Sequence, residues 1–363
     1  MRSFRAGLRQ RSPLVLVVAA GLAALTLLGL QQAFATGAWS EVPLEYWMRS
    51  DNVDTGKARV AWLLARLDRE PAAERTLYLL GGSTLREATV RDGASLAAKV
   101  EDLGGPHLEG WNLATSLQTF AQSLAIVDNL PASGSATVVI GVSPGRFIGD
   151  RAGAEEQLEG RGFPLGSETL GGCLDAEPSA GDPRGTLLPG ILSMLVEKGR
   201  SDVVRLAQGE VPSWDYVQHD FDDEPLMDEA EKRGVFEAWW RVRLPQFERN
   251  VDFNLTLLEA LVERSRRRGF GVVVVELPRN EELIGARWEA VDSRYQPRAR
   301  SIAAEHGVPY LDFNGSLGLH TADFSDHAHL RHSGRIVWET QLAQELALLY
   351  QRGALPDRSV AGN

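Results

Sequence analysis

Ser83 and the pair Asp326 and His329 are the residues whose types and spacing could do chemistry. A serine hydroxyl is a weak nucleophile until a base takes its proton, and that base works best when a carboxylate fixes its orientation. Ser83 closes the stretch Thr76-Leu77-Tyr78-Leu79-Leu80-Gly81-Gly82-Ser83, an apolar, β-favouring run broken by two glycines. Such a run predicts a buried strand. The glycines allow a tight turn into a helix, which would leave the hydroxyl at the carboxyl edge of a parallel sheet, where open α/β folds bind ligands. Near the other end, Asp326-His327-Ala328-His329-Leu330 precedes Gly334 and a terminal helical pattern. Asp326 and His329, three residues apart, can share one side of a turn, and serine, aspartate, histidine is then a triad order.

The same segment offers a rival chemistry. Four of the seven histidines, His320, His327, His329 and His332, fall together with Asp323 and Asp326. Histidine and aspartate can hold zinc with a position open to water, although no His-Glu-x-x-His helix accompanies them. The single cysteine, Cys173, excludes an intramolecular disulfide and any multi-cysteine zinc site. Its neighbours carry no base to stabilise a thiolate, so it reads as incidental. No cofactor motif stands out.

These residues need a scaffold, and the chain has the length for one. At 363 residues, with 44% apolar and 24% charged, it can bury a sizeable core. A net charge of -11 argues against nucleic acid as a partner, which needs a basic footprint. Arg2, Arg5, Arg9 and Arg11 precede an uninterrupted apolar run from Leu14 to Leu30, the pattern of a segment that starts in the cytoplasm and sends the rest outward. Seventeen residues suit a retained anchor, whereas Ala33-Phe34-Ala35 has the small-x-small form of a cleavage site. Either outcome puts the body outside the cytoplasm, at a membrane surface or secreted.

Beyond a juxtamembrane stretch, Lys57 to Leu67 reads as an amphipathic helix with Val60, Leu63, Leu64 and Leu67 on one side. Strands are predicted at 76–80, 108–113, 136–142, 272–277 and 309–313. Helices are predicted at 94–103 (capped by Asp92), 116–129, 229–268 with an interruption at Pro245, 290–305, and from Ser333 onward. The last carries Ile336, Val337, Leu342, Leu346 and Leu349 as its apolar set. Strand and helix alternate, the pattern of a parallel sheet with helices on both faces. Residues 148–225, rich in Gly, Pro, Asp and Glu with a helical stretch at 187–198, break that rhythm as an inserted cap or a solvated excursion. The domain reading is therefore an N-terminal membrane segment (1–35), a juxtamembrane segment and helix (36–75), an α/β domain (76–350) holding the insertion, and a tail (351–363).

Three strand-edge stretches together resemble the SGNH, or GDSL-like, hydrolase superfamily, and within it the membrane-tethered bacterial envelope branch that includes DltD, AlgX and AlgJ. The first block, Gly81-Gly82-Ser83-Thr84, carries that family's nucleophile, with Gly82 where many members have Asp. The last block, Asp-x-x-His, matches Asp326 and His329. The second block gives the oxyanion hole a backbone amide from a glycine. Here the stretch Asn112-Leu113-Ala114-Thr115-Ser116-Leu117 has Leu117 at that place. The third block presents an asparagine in the family, whereas Ser143-Pro144-Gly145-Arg146-Phe147 has none and is similar to the Ser-Pro-x-x-Phe of DltD. Ser143 or Arg146 would have to contribute instead.

The resemblance implies a three-layer α/β/α domain with a mainly parallel, flavodoxin-like sheet. It further implies a serine O-acyl esterase or acyltransferase, without cofactor, acting on a cell-envelope glycan or other polymer. Its partners would be the acylated polymer and a membrane-bound O-acyltransferase. The missing third-block asparagine keeps open a catalytically weak scaffold that binds glycan or recruits such an acyltransferase.

Overall fold

The computed structural model describes residues 74–89, 94–131, 135–159, 165–177 and 227–356, together with isolated residues of two N-terminal helical stretches. Chain contacts separate residues 1–43 from a compact unit, 44–363. In the first unit Val17, Val18, Leu22 and Leu25 are helical and exposed. No helix among the described residues is long and apolar enough to cross a membrane. Apart from Val17, Val18, Leu22 and Leu25 and the glycines Gly21 and Gly29, the 14–30 run lies outside the described residues, as do the stretch 36–55, Asp92, the 187–198 helix and the end of the tail.

In the larger unit five parallel strands form one sheet: β1 (Thr76–Leu80), β2 (Glu109–Asn112), β3 (Ala136–Val142), β4 (Gly271–Glu276) and β5 (Tyr310–Leu311). Their order, β2-β1-β3-β4-β5, is the strand order of flavodoxin-like doubly wound sheets. β1, β3 and β4 are buried at every position, which explains why they read as continuous apolar runs rather than alternating ones. The chain reverses its direction of growth across β1 and β3, so their carboxyl ends flank the crevice where such sheets bind ligands.

Helices α1 (Ser83–Ala88), α2 (Ala94–Asp102), α3 (Phe120–Asn129), α4 (Arg151–Leu158), α5 (Glu168–Leu174), α6 (Glu229–Arg267), α7 (Glu281–Ile284), α8 (Arg287–Glu305) and α9 (His332–Gln351) surround it. Leu77, Leu79, Val139, Val273 and Val275 form one core with apolar residues of α1, α2 and α9. By the two-residue alternation of a strand, Tyr78, Val138, Val274 and Glu276 point the other way, where Tyr295 of α8 donates a hydrogen bond to Glu276. The helix at 57–67 appears through Val60, Leu63, Leu64 and Leu67, all helical and buried as its spacing predicts.

Several expectations need correction. The helix after β2 begins at Phe120, not Ser116, because Thr119 and Gln122 close a reciprocal capping box there. Pro245 does not interrupt α6, which runs for 39 residues through it. α9 buries Arg335, Trp338, Glu339, Leu342, Ala343, Leu346 and Tyr350, and leaves Ile336 and Val337 45% and 42% exposed. Of the 148–225 insertion, the described part includes two helices that the sequence pattern did not predict. Its helices α4 and α5 pack on α3, with Asp128 accepting hydrogen bonds from Ser167 and Thr169.

Candidate active site

Ser83 opens α1 directly after β1, with Gly82 as the cap residue. The two glycines before it do different things. A Cβ at Gly81 would sit 2.8 Å from Leu85 Cβ and Cδ2, so the close approach of strand end and helix requires glycine. A Cβ at Gly82 would meet nothing within 4 Å, and its backbone is extended, so larger residues fit there. Asn112 pins the neighbouring strand end to this turn. Its Nδ2 donates to Thr89 Oγ1 at 2.8 Å and its Oδ1 accepts from the Ala114 amide.

The Asp326–His329 turn is held from several sides. Phe324 and Leu330 pair as an antiparallel bridge, and the Ser325 amide donates to the His329 carbonyl. Gly334 lets α9 come close, since a Cβ there would lie 2.8 Å from the Asp323 carbonyl oxygen and from Leu330 Cδ2. From α6, Lys232 Nζ donates to the carbonyls of Thr321 and Phe324 at 2.8 and 2.7 Å. From the loop after β4, the Asn280 amide donates to the His327 carbonyl.

These supports bring Ser83, His329 and Asp326 into one hydrogen-bonded line. His329 Nε2 lies 2.9 Å from Ser83 Oγ, and its Nδ1 lies 2.8 Å from Asp326 Oδ2. The other carboxylate oxygen accepts the Ala328 and His329 amides, both at 2.8 Å. Burial alone would push the Asp326 carboxyl up, but the charge and hydrogen bond of His329 and the amide donors outweigh it and hold the group well below the usual carboxylate range. Burial pulls the His329 imidazole down, while Asp326 beside it pulls harder the other way, so the net shift is upward. An ionised Asp326 requires the proton on Nδ1, which leaves the Nε2 lone pair facing the serine hydroxyl. That is the tautomer a general base needs.

Of the oxyanion candidates, two amides are well placed in the chain. Ser83 is the first residue of α1, where a helix has no carbonyl behind its N–H groups. Leu117 stands in the turn between β2 and α3, whose own hydrogen bond runs from the Gln118 amide to the Thr115 carbonyl and leaves the Leu117 amide out. Its φ of +56° is the left-handed conformation that favours glycine, the residue the SGNH pattern has there. Ser143 lines the same cavity as Ser83 and caps no helix with its hydroxyl.

Arg146 does not fit an oxyanion role. It is 2% exposed, and its five N–H donors are taken by the carbonyls of Gln118, Leu80, Gly141 and Thr119 and by Ser123 Oγ. Phe120 lies beneath the guanidinium at 4.3 Å. Burial pulls its pKa down to about 9, so the charge persists at neutral pH and is matched by carbonyl dipoles. Arg146 is a clamp that fixes the β1, β3 and second-block backbones relative to one another. Sequence reasoning had no signal for it, nor for Lys232, because both roles consist of bonds to distant carbonyls.

The histidine cluster disperses. His320 is largely exposed beside Glu282, and His332 opens α9. His327 is buried against Trp239 and Phe236, with ring centroids 5.1 and 5.8 Å away, and burial keeps its pKa low. Among the described residues no three histidine, cysteine or carboxylate side chains converge as a metal site. The triad opens into a cavity of about 320 Å³ walled by Trp239, Trp288, Val235, Leu277 and Pro144, with Arg243 and Arg279 at its polar side.

No protein-family model matches this chain. No curated protein matches it.

Proposed function

We propose that this protein is a serine-dependent O-acyl esterase or O-acyltransferase of the SGNH type, working through an acyl-serine intermediate on a bacterial cell-envelope polysaccharide or related polymer. The observation that carries the reading is the hydrogen-bonded line Ser83–His329–Asp326 at 2.9 and 2.8 Å. The parallel sheet in the order 2-1-3-4-5, with the serine after β1, agrees with a flavodoxin-like SGNH domain.

The chemistry follows from the proton positions. Ser83 Oγ attacks the acyl carbonyl carbon while its proton passes to His329 Nε2, and the imidazolium is stabilised by Asp326. The negative charge on the tetrahedral oxygen falls to the Ser83 and Leu117 amides, each such donor being worth roughly 3 kcal/mol in related sites. His329 returns the proton to the departing sugar oxygen as the carbon–oxygen bond breaks, leaving the acyl group on Ser83. Water or a second hydroxyl then gives its proton to His329 and takes the acyl group, and Ser83 recovers its hydrogen.

The arginine-led apolar N-terminus supports work on the outer side of a bacterial cytoplasmic membrane, either tethered or released near Ala35, with a membrane-bound O-acyltransferase as acyl supplier. The test is release of acetate from O-acetylated polysaccharides, or its movement to an added glycan, by the wild type and by Ser83→Ala. The reading requires turnover by the first and none by the second. Equal activity of both would remove the serine mechanism. A folded wild type that binds glycan without turnover would favour the scaffold, which draws on a third block whose arginine donors are all spent on backbone carbonyls and Ser123 Oγ.

A further inference from the structure

A second cavity, of about 350 Å³, adjoins the catalytic one. It lies between the β2–α3 turn, the start of α4 and the middle of α6, and it shares two lining residues with the catalytic cavity, Leu117 and Arg243. Both volumes fall at the small end of the roughly 300–1,000 Å³ typical of ligand sites. Their linings differ. Around the serine the walls are aromatic and aliphatic, whereas the second cavity offers Gln246, Arg249 and Asn250, with Phe253 as its aromatic face.

Side-chain amides both donate and accept, as a polyol requires. The charges also balance in number, since two arginines, Arg243 and Arg249, and two carboxylates, Asp150 and Glu156, line it. A strongly anionic ligand would gain little there.

Two further features point to a ligand. Asn254 is fully buried in the wall, and its Nδ2 donates to the carbonyls of Phe147, Gly149 and Asn250. Its Oδ1 has no donor among the described residues, a buried acceptor of the kind a hydroxyl or a bound water satisfies. Leu117, on the boundary between the cavities, is left-handed and 57% exposed. A branched apolar side chain is thus held in a glycine conformation at the junction, where it faces solvent unless a ligand covers it.

We propose that the second cavity is a chain subsite for a neutral glycan. It holds the sugar units next to the one whose acyl group sits at Ser83, and Leu117 is the ridge the chain crosses. The proposal rests on the serine-acyl reading for its orientation, but the subsite can be tested separately.

Two substrates are compared. 4-Nitrophenyl acetate is too small to reach past Leu117 and reports the triad alone. O-Acetylated xylan, mannan and N-acetylglucosamine oligomers of one to six units report the subsite. For at least one backbone, kcat/KM should rise with length and level off by about four units. Arg249→Ala and Phe253→Ala should each cut that rise about tenfold, while 4-nitrophenyl acetate turnover stays at the wild-type level. Added 0.3 M salt should change it less than twofold. Length-independent turnover on every backbone, or a rise untouched by both variants, would overturn the subsite. Should 4-nitrophenyl acetate itself not be turned over, the serine reading fails instead. Calorimetric binding of the unacetylated oligomers to wild type and Arg249→Ala then decides the subsite, with tighter binding to wild type supporting it and no binding to either refuting it.

Discussion

Replacing Asp326 by asparagine tests the proton arithmetic of the site with almost no change of shape. Asp326 Oδ1 accepts two amides at 2.8 Å and Oδ2 faces His329 Nδ1 at 2.8 Å. An asparagine can keep the two amide bonds only through its carbonyl oxygen, which places its NH2 group where Oδ2 was. That group donates to Nδ1, so the imidazole must carry its proton on Nε2 and point it at Ser83. A histidine in that tautomer cannot accept the serine proton. The same exchange in a well-studied serine triad costs about 10⁴ in rate, equivalent to about 5.5 kcal/mol at about 1.36 kcal/mol per decade.

A second signature comes from the imidazole pKa. With the carboxylate gone, burial dominates and His329 titrates below its ordinary value instead of above it. The assay is the second-order rate constant for labelling with a fluorophosphonate, read from pH 5 to 9, beside a thermal melt of each protein. A folded Asp326→Asn protein should label about three to four decades more slowly, with its residual rate losing the wild-type acid limb. Labelling within tenfold of wild type, with the acid limb in place, would refute the reasoning.

Three more expectations follow from the same geometry. In the wild type, Asp326 stays ionised throughout the working range, so the labelling rate should fall about tenfold per pH unit on the acid side with a midpoint above the ordinary histidine value of about 6.5. A flat profile between pH 5 and 8 would contradict this. Gly81→Ala should destabilise by about 1–3 kcal/mol through its contact with Leu85, whereas Gly82→Asp should stay within about 0.5 kcal/mol of wild type, as denaturant midpoints would show. Glu276 is fully buried, and burial lifts its carboxyl to about 7 despite the hydroxyls of Tyr295 and Tyr310. A raised carboxyl favours the folded state while protonated and loses that contribution as pH rises from about 4.5 to about 7, on the order of 3 kcal/mol at full ionisation. Glu276→Gln should therefore melt higher than wild type at pH 8.5 and close to it at pH 4.5; a gap independent of pH would count against a raised carboxyl.

The parts legible in the sequence were those where local pattern and tertiary demand agree. β1, β3 and β4 are buried on both faces, so they read as short continuous apolar runs, β-branched in β3 and β4. Ser83 was legible because a strand must end at the glycines, and Asp326 with His329 because their spacing serves one turn. α9 was legible only in part, Leu342 and Leu346 being buried as their spacing predicts, and for the opposite reason. Its core face runs 335, 338, 339, 342, 346, which includes an arginine and a glutamate, while the apolar Ile336 and Val337 look outward. α4 and α5 were missed because they are short and poor in apolar residues, although their caps Asp150 and Ser167 stand in the sequence. Arg146 illustrates the general limit. A lone arginine after a strand reads as exposed or reactive, and only the meeting of four carbonyls from three chain segments turns it into a buried clamp.

The most direct measurement is to treat the full chain with a fluorophosphonate and locate the adduct by peptide mass spectrometry, in wild type, Ser83→Ala and His329→Ala. A single adduct on Ser83, absent from Ser83→Ala and reduced at least a thousandfold in rate in His329→Ala, is the result expected of an activated serine. A folded wild type that takes no label, or a label that persists in His329→Ala at the wild-type rate, would contradict it.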